Sequence, residues 1–465
     1  MIFTALWSDI LIYLLVALSI MLVMHIAKQP QLRHRWRKVL YQPLNMVATI
    51  VLAFYAVIGL LDTVHFQEKS TASQLNTNGI VSVLDKILMP MIINTEKTYS
   101  APFATHSFVK ENITQSDGHV IRDFPRLKFA GSHLKSPNDK NNDITTRLIK
   151  IVLQSVILWS AFCVLVLLYA SRKNKITWEN LMADVWGGNA EFPWRSFLAT
   201  SGVIIFLITF VYGFMDFYHI LGTNEVGEDV LYQTLKSVRT GLVIGTLTTL
   251  ITLPFAILFG IMAGYFRGWV DDAIQYVYTT LSSIPGVLLI AAAVLVLQVV
   301  MDKHTEWFET VAHRTDARLL ALCAILGITS WTGLCRLLRG ETLKICEMDF
   351  VQAARSLGSS HFSIIFKHLL PNVFHIILIM VVLDFSGLVL AEAVLSYVGV
   401  GVDPSTFSWG TMINSARLEM ARVPVVWWCL TAAFIFMFIL VLAANIFSDA
   451  IRDAFDPRAR LGGSK

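Results

Sequence analysis

Few side chains in this sequence have the types and spacing that chemistry requires. Asp216 and His219 lie three residues apart at the end of a hydrophobic run. Two potential metal ligands at this spacing, without a third, are more often polar residues at a membrane boundary, so we predict no metal site. Asp384 and Glu392 lie inside a later hydrophobic run, where an ionised carboxylate costs about 3 kcal/mol if the run crosses a membrane. Such carboxylates usually face a cavity or a partner.

The motifs of common catalytic sites are not found in the sequence. It contains no HExxH, no GxSxG and no GxxxxGK[ST] phosphate-binding loop. The cysteines form no CxxC pair and have no Cys/His ligand spacing, and they are Cys163, Cys323, Cys335, Cys346 and Cys429. The chain is therefore predicted not to be an enzyme, not to bind ATP or another cofactor itself, and to have no disulfide framework.

Composition indicates the elements that position these residues. Of the 465 residues, 55% are hydrophobic and 15% charged, against about 25% charged in soluble domains. Runs such as 151–170 and 425–441 approach or reach the ~20 residues that cross a bilayer as a helix. The net charge of +4 lies in short loops beside such runs and does not indicate nucleic-acid binding. We predict an all-α polytopic membrane protein.

Hydropathy predicts nine transmembrane helices. They lie near residues 7–26, 44–61, 149–170, 197–218, 241–265, 276–300, 319–338, 373–397 and 425–447. The N-terminus has no basic region or small-residue cleavage site, so the first run is predicted to stay in the membrane. Lysine and arginine concentrate in alternate loops, near residues 28–38, 172–195, 267, 339–367 and 452–460. Because such residues mark cytoplasmic loops, the N-terminus is predicted to be outside and the C-terminus in the cytoplasm.

This topology divides the chain into five predicted regions. They are two transmembrane helices (1–61), a small folded extracytoplasmic domain (62–147), a third transmembrane helix with a cytoplasmic linker (148–196), a transmembrane core (197–450) and a cytoplasmic tail (451–465). The polar segment 62–147 is too long to be a simple connector. Glycines spaced four apart, at Gly241 and Gly245 and at Gly260 and Gly264, favour close helix packing.

One basic stretch, "FVQAARSLGSSHFSIIFKHLLPN" (350–372), is placed on the cytoplasmic face by this topology. At helical spacing, Val351, Ala354 and Leu357 fall on one side, and Gly358 then stops the helix as a C-cap glycine does. A second amphipathic piece is predicted from Ser360 to Leu370, ending at Pro371. Two short helices hinged at a glycine present a shape that a soluble partner can hold.

This stretch resembles the cytoplasmic loop of permease subunits of ATP-binding-cassette (ABC) importers. That loop reads E-A-A, three residues, G, then a hydrophobic stretch ending L-P. The matching positions here are Gln352, Ala353, Ala354, Gly358, Leu370 and Pro371, and "KHLLPN", which includes His368, is typical of the dipeptide and oligopeptide (peptide/nickel) branch. Gln352 replaces the usual Glu.

The resemblance covers roughly residues 190–460. "LGTNEVGEDVL" (221–231) is similar to an outer-face motif of the same branch, with matches at Gly222, Thr223, Gly227 and Asp229 and departures at Asn224 and Glu228. Further matching stretches are "GYFRGWVDD", "SIPGVLL", "TSWTGLCRLLRGETL", "AEAVLSYVGVGVDPSTFSWGTMI" and "FSDAIRDAFDPR". Three extra spans precede the usual first span. Because residues 40–62 also look like that usual first span, we hypothesise that the outer domain was inserted with a span duplication.

The resemblance implies a type I ABC importer permease core of six helices in a bacterial inner membrane, working by alternating access. The implied partners are a second homologous permease subunit, two cytoplasmic ATP-binding subunits that bind ATP and Mg, and a periplasmic substrate-binding protein. Loop 340–372 would couple to the ATPase, and the outer-face motif would help form the docking surface of the binding protein. Asp384 could line a peptide path, and the alternative is that it is a buried carboxylate paired with another side chain. Glu392 falls in the family motif A-E-A-x-L-S, which favours a hydrogen-bonding role.

Other functions remain open from the sequence. The solute could be another small molecule, such as a nickel chelate. A membrane sensor or interaction protein would use the outer domain but should carry a cytoplasmic effector domain, whereas the inner loops reach only about thirty residues. A passive channel would differ from a permease in lacking ATP-dependent uptake.

Overall fold

The computed structural model describes residues 2–3, 6–67, 80–114, 120–174, 177, 182, 185, 187, 192–308 and 310–455. Parts of the predicted extracytoplasmic domain and of the predicted cytoplasmic linker lie outside these residues. So does the predicted cytoplasmic tail from residue 456 onwards, including Arg458 and Arg460.

The described residues are mainly helical. The helices are α1 (Trp7–Lys28), α2 (Pro30–Tyr41), α3 (Pro43–Thr63), α4 (Val83–Ile87), α5 (Met89–Ile93), α6 (Lys140–Asn174), α7 (Trp194–Phe214), α8 (Val230–Phe266), α9 (Gly268–Ser283), α10 (Gly286–Lys303), α11 (Val311–Ser330), α12 (Thr332–Cys346), α13 (Asp349–Ser356), α14 (His361–Ile364), α15 (Leu370–Tyr397), α16 (Trp409–Glu419) and α17 (Trp428–Phe455). The strands are β1 (Ile2–Phe3), β2 (His65–Gln67), β3 (Ile80–Ser82), β4 (Glu111–Thr114) and β5 (Val120–Asp123). Short 3₁₀ turns lie at Pro137–Asp139 and Thr305–Trp307, and a π-helical turn at Ile365–Leu369.

The predicted all-α membrane fold is confirmed. Within the described residues, nine helical segments are long and apolar enough to cross a membrane, and each overlaps one predicted span. One predicted span, 276–300, has the wrong boundary, because the helix is broken at Ile284 and Pro285 between α9 and α10. Proline lacks an amide donor and disfavours helical geometry in the residue before it, and Ile284 is accordingly extended.

The described residues divide into two compact units. The first contains those within 1–5, 40–239 and 407–443, and the second those within 6–39, 240–406 and 444–465. Helices α8 and α17 each contribute residues to both units.

The first unit combines membrane helices with small sheets. Strands β1, β2 and β3 form an antiparallel sheet in that order, and β4 pairs with β5 as a separate ribbon. Helices α6 and α7 lie against each other, where the indole Nε1 of Trp159 donates a hydrogen bond to the carbonyl of Leu198 at 2.8 Å. The ring of Trp159 fills the space beside Gly202.

The second unit packs helices closely through small residues. A Cβ atom at Gly264 would lie 2.6 Å from Cβ of Thr342, and one at Gly260 would lie 2.9 Å from the carbonyl oxygen of Cys335. Both glycines therefore let α8 lie directly against α12, as their four-residue spacing predicts. Gly245 is covered instead by the ring of Phe385.

Candidate functional site

The stretch predicted to engage a soluble partner, residues 350–372, begins in helix α13 (Asp349–Ser356). We call residues 349–372 the hinged segment. Gly358 has a φ of 75° and ends this helix. Its amide donates to the carbonyl of Arg355 at 3.0 Å, and the amide of Ser359 donates to the carbonyl of Ala354 at 3.1 Å. These two bonds define a Schellman C-cap, in which glycine adopts the left-handed conformation at low cost. The predicted helix stop at Gly358 is confirmed.

One face of α13 is fixed to the transmembrane helices of the same unit. Val351 is fully buried and Ala354 nearly so, and both belong to a hydrophobic cluster with Leu338 and Ile345 of α12 and with Ile364 of α14. Leu357 was predicted on this face, but its side chain is 85% exposed. It occupies the C-cap position, where the chain leaves the helical path, so its direction no longer follows the helical period.

The second half of the hinged segment differs from the prediction of a short helix ending at Pro371. Helix α14 continues through the π-helical turn Ile365–Leu369 directly into α15, so Pro371 lies inside one continuous helical path. A proline has no amide to donate and crowds the carbonyl four residues earlier. The wider π turn immediately before Pro371 accommodates both effects, which explains why the helix does not end there.

Polar contacts hold the hinged segment in place. The hydroxyl of Tyr265 lies 2.8 Å from Nδ1 of His361, and the guanidinium of Arg355 lies over the ring of Tyr265, 5.3 Å from its centroid. Gln352, which replaces the family's Glu, is exposed and donates from Nε2 to the carbonyl of Glu347 at 3.2 Å. The segment is therefore ordered by contacts with its own unit.

The opposite side of the hinged segment is an exposed apolar surface. Leu357 is 85% exposed, Phe362 76% and Phe366 61%. Ala353 and Pro371 are also exposed, while His368 and Leu370 are half-buried. Exposed large apolar side chains that lie close together along a short segment are typical of a protein interaction site.

Helix α12, which precedes the segment, carries two arginines with defined partners. Arg339 donates two hydrogen bonds to Asp271, from Nε at 2.5 Å and from Nη2 at 2.7 Å, and these bonds hold the pKa of the Asp271 carboxyl below its usual value. The guanidinium of Arg336 lies 4.9 Å from the centroid of the Tyr278 ring. Both arginines thus contact α9.

The two carboxylates predicted near a pathway have different surroundings in α15. Glu392 is buried and accepts a hydrogen bond from Oγ of Ser396 at 2.6 Å. Asp384 is half-buried, and no ion pair or hydrogen bond of its side chain is found within the described part of the chain. A paired role for Asp384 therefore has no support among these residues.

The outer-face motif is buried rather than displayed. Oγ1 of Thr223 accepts from the amide of Ser100 at 2.7 Å and donates to the carbonyl of Thr98 at 2.9 Å. Oδ1 of Asp229 accepts from the amides of Leu231 and Tyr232, which caps the start of α8. Neither Thr223 nor Asp229 reaches the surface, so neither contacts a docking protein directly.

Two motif glycines accept the close approach of the preceding polar segment. Gly222 and Gly227 have φ values of 74° and 81°, which favour glycine. A Cβ atom at either position would overlap a backbone carbonyl, that of Ser100 or that of Glu96. The amide of Glu96 donates to the carbonyl of Gly227 at 2.9 Å. Residues 96–102 thus pack directly on the motif loop.

A buried ionic cluster, which the sequence did not predict, joins the same elements. Nδ1 of His219 lies 2.8 Å from Oδ2 of Asp229, and its Nε2 lies 3.7 Å from Oε1 of Glu96. Burial alone would lower the pKa of His219, but the two carboxylates raise it to about 9. Glu96 also accepts hydrogen bonds from three backbone amides, at residues 128–130. Burial alone would raise the pKa of Glu96, but the contacts with His219 and with these amides lower it to about 2.

A second cluster links α3, α4 and α8. Nζ of Lys236 lies 2.7 Å from Oδ1 of Asp62 and 2.6 Å from Oδ1 of Asp85, and the hydroxyl of Tyr232 donates to Asp85 at 2.9 Å. The carboxylates come from positions 174 and 151 residues earlier in the chain. The only sequence signal was an isolated lysine beside a hydrophobic run, which does not identify its partners.

Neither cluster is a metal centre. Among the described residues, no group of three or more His, Cys, Asp or Glu side chains is arranged to hold a metal ion. Asp216 is exposed and takes no part in the His219 cluster. All five cysteines are free thiols in the structure.

Comparisons with known proteins give a consistent result. Residues 256–461 match a family model described as "Binding-protein-dependent transport system inner membrane component". The oligopeptide transport system permease protein OppC of Mycobacterium tuberculosis (strain H37Rv) is 34% identical over 242 residues, which cover 52% of this chain and 77% of that protein. The glutathione transport system permease protein GsiD of Pectobacterium atrosepticum is 30% identical over 244 residues, covering 52% of this chain and 73% of GsiD.

Two further similarities have lower coverage or lower identity. The dipeptide transport system permease protein DppC of Bacillus subtilis is 30% identical over 242 residues, which cover 52% of this chain and 69% of that protein. Among solved structures, an inward-facing MetNI methionine ABC transporter aligns with 49% of this chain and 94% of its own, at 17% identity and a TM-score of 0.36.

The His219 cluster predicts a pH-dependent stability. Because the pKa of His219 is raised to about 9, its contribution is complete below its ordinary value of 6.5 and is lost as the pH rises through 9. Because the pKa of Glu96 is lowered to about 2, its contribution is complete above its ordinary value of 4.5 and is lost as the pH falls through 2. We expect the melting temperature to fall between pH 6.5 and 9. In Glu96→Gln the fall should be smaller and should end at a lower pH, because loss of the carboxylate lowers the pKa of His219 in the folded protein.

The measurement is differential scanning fluorimetry of the detergent-solubilised chain across pH 5 to 9.5. Glu306→Gln is the matched control, because Glu306 also pairs with a histidine, His304, but both side chains are exposed. Its pH profile should match that of the unaltered protein. Identical profiles for Glu96→Gln and the unaltered protein would contradict the proposed balance of charges.

Proposed function

The chain belongs to the family of binding-protein-dependent transport system inner membrane components, and we propose that it forms a translocation pathway for di- and oligopeptides in an ATP-driven importer. It is a multi-pass inner-membrane transport subunit, and its relatives are permease proteins rather than enzymes. In this proposal, separate subunits bind ATP and Mg, hydrolyse the nucleotide and drive the membrane helices.

The two-sided hinged segment is the observation that carries the coupling proposal. One side of α13 is buried through Val351 and Ala354 against neighbouring helices. The part of the hinged segment that follows α13 exposes the apolar side chains of Leu357, Phe362 and Phe366. We propose that the exposed side docks in a groove of the ATPase subunit. A soluble partner would bury the apolar surface there and would exert force on a segment that is already fixed to the membrane helices.

The path of the chain supports direct transmission of that force. The Schellman turn at Gly358 fixes the angle between α13 and α14, and α14 continues without interruption into α15. A displacement of α13 therefore acts on the helix that carries Asp384 and Glu392. We propose that this displacement drives the change between outward-facing and inward-facing states.

The proposed orientation places the C-terminus and the hinged segment in the cytoplasm. Basic helix α2 packs against the end of α17, where the guanidinium of Arg35 lies 5.7 Å from the centroid of the Phe455 ring, and Val39 is buried with Ile451. The basic segment after α1, which forms α2, and the end of α17 therefore lie on the same side of the membrane in this proposal. The alternation of basic loops along the sequence requires the same placement. The contact with a cytoplasmic ATPase, tested below, also tests this orientation.

The names of the relatives support a peptide substrate. They are permease proteins of oligopeptide, glutathione and dipeptide transport systems, and all three solutes are peptides. The proposed assembly contains this chain, a second homologous permease, two ATP-binding subunits and a periplasmic substrate-binding protein. We propose further that Asp384 lines the peptide path, because it is half-buried without a partner in the described chain and could receive a peptide ammonium group.

Affinity purification through a tag on this chain tests the assembly. The purified complex should contain a second permease and ATP-binding subunits, and in proteoliposomes supplied with its binding protein it should accumulate labelled peptides only when ATP is present. A panel of peptides and a nickel chelate identifies the solute class. Failure to recover any ATPase, or uptake that does not need ATP, would refute the proposal.

A substitution at the hinge tests coupling. Gly358→Val places a β-branched residue at a positive φ, where strain is on the order of 1–3 kcal/mol, and should distort the turn. We expect ATP hydrolysis to continue while peptide uptake per ATP falls about tenfold, the factor that corresponds to about 1.4 kcal/mol. Gly358→Asn is the matched control, because asparagine tolerates this conformation and should retain most uptake. Normal uptake by Gly358→Val would remove the hinge from the mechanism.

A substitution in α15 tests the pathway role of Asp384. Asp384→Asn removes the charge at nearly constant volume, so transport should discriminate less between peptides with a free amino terminus and their N-acetyl analogues. The measurement is competition of each class against uptake of a labelled peptide. Glu392→Gln, in the same helix, keeps an acceptor for Ser396 and should preserve the discrimination. Unaltered discrimination in Asp384→Asn would exclude the pathway role.

A further inference from the structure

The β4–β5 ribbon is an exposed feature that the proposed coupling and pathway do not use. All four residues of β5 are exposed. A two-stranded ribbon is only marginally stable alone, but here its base is fixed. The amide of Ser107 donates to the carbonyl of Pro125 at 2.8 Å, the amide of Leu127 donates to the carbonyl of Thr105 at 3.0 Å, and His106 bridges to Arg126. These bonds extend the strand pairing to residues 105–107 and 125–127, and the amide of Phe108 ties the ribbon to the carbonyl of Tyr99 at 3.0 Å.

A cavity of about 480 Å³ lies between the base of this ribbon and the loop around residue 423, all within the first unit. Its polar lining includes three cations, Lys110, Arg122 and Arg422, and no aspartate or glutamate is found among the described residues that line it. Aromatic side chains form much of the remaining wall. We call this feature the ribbon cavity.

Aromatic rings hold two of these cations in place. Nζ of Lys110 lies 5.2 Å from the centroid of the Phe124 ring, and the guanidinium of Arg422 lies 5.0 Å from that of Tyr99. Arg422 also pairs with Glu225 at 3.1 Å, but both side chains are largely exposed. Exposed pairs of this kind contribute little, so a carboxylate from another protein can replace Glu225 at little cost.

The rim of the ribbon cavity is apolar and open to solvent. Val423 is 97% exposed, Phe124 41% and Val109 40%. Aromatic and arginine side chains are the residues that most often dominate protein–protein binding energy, and they do so where apolar contacts exclude water around them. The ribbon cavity brings cations, aromatic rings and an exposed apolar rim together.

We propose that the ribbon cavity docks an acidic segment of the soluble protein that delivers the solute. This segment would place carboxylates on Lys110, Arg122 and Arg422 and an apolar side chain against Val423. The inference rests on the proposed function, because it requires the ribbon to face the side from which solute arrives. It assigns the contact partly to Lys110 and Arg122, which precede the family core, and partly to Arg422 and Val423 within that core. The family's outer-face motif residues Thr223 and Asp229 are buried.

A protein segment fits this site better than a small free anion does. A small free anion binds most strongly where the cations that contact it are buried. Here the side chain of Arg422 is 45% exposed, and Lys110 and Arg122 are also exposed. A free anion would also leave the valines in water. An acidic protein segment neutralises several cations at once and covers the rim.

Charge reversal tests the site. The transporter complex is placed in nanodiscs, and binding of its purified solute-binding protein is measured by biolayer interferometry at 50, 150 and 300 mM NaCl. We expect Lys110→Glu/Arg122→Glu to weaken binding at least tenfold at 150 mM and to reduce the dependence on salt, with the melting temperature and basal ATP hydrolysis unchanged. Lys135→Glu/Lys140→Glu is the matched control, since it makes the same change in net charge outside the cavity.

A photo-crosslinking residue at Val423 identifies the occupant. Crosslinks to an acidic segment of the solute-binding protein would support the proposal, whereas crosslinks only to lipid or to another copy of this chain would overturn it. The proposal would also be overturned if the solute-binding protein bound the Lys110→Glu/Arg122→Glu and Lys135→Glu/Lys140→Glu complexes with equal affinity. If the unaltered complex takes up peptides and the Lys110/Arg122 pair binds normally, this inference alone fails. If the unaltered complex shows no ATP-dependent uptake, the proposed function fails instead.

Discussion

The burial of one face of α13 is the interaction on which the proposed mechanism depends. A helix of eight residues is too short to be stable alone, so it must gain its order from tertiary packing. Val351 and Ala354 supply that packing by lying against α12 and α14. Because they do, the segment stays ordered while the apolar side chains that follow the helix, Leu357, Phe362 and Phe366, remain exposed. An anchored face and an open face are both required of an element that passes motion between two proteins.

Local sequence signals predicted much of this architecture. The nine spans followed from hydropathy, because a bilayer requires long apolar helices whatever their neighbours are. The stop at Gly358 followed from the position of glycine after an amphipathic turn. In contrast, Pro371 suggested a helix end, but the π turn before it absorbs the missing amide. That compensation depends on the packing of Ile364 and Leu369, which single-residue preferences do not describe.

The charged clusters could not be predicted for a different reason. Lys236 meets Asp62 and Asp85, and His219 meets Glu96, across separations of more than a hundred residues. The sequence predicted His219 only as a polar residue at a membrane boundary, and it indicated no role for Glu96. The burial of the outer-face motif was not expected. Its residues organise the loop, and the exposed residues nearby belong to parts of the chain that the motif does not include.

The contact between residues 96–102 and the motif loop has a consequence for the modular character of this chain. Insertions usually join a host domain at their two ends and can be removed without harm to its core. Here the carbonyls of Glu96 and Ser100 occupy the space beside Gly227 and Gly222, and Glu96 supplies half of the negative charge around His219. A shortened chain, trimmed to match its smaller relatives, would keep a buried imidazole with one counter-ion and two glycines facing an empty groove. This polar segment is therefore an integral part of the first unit rather than an appendage.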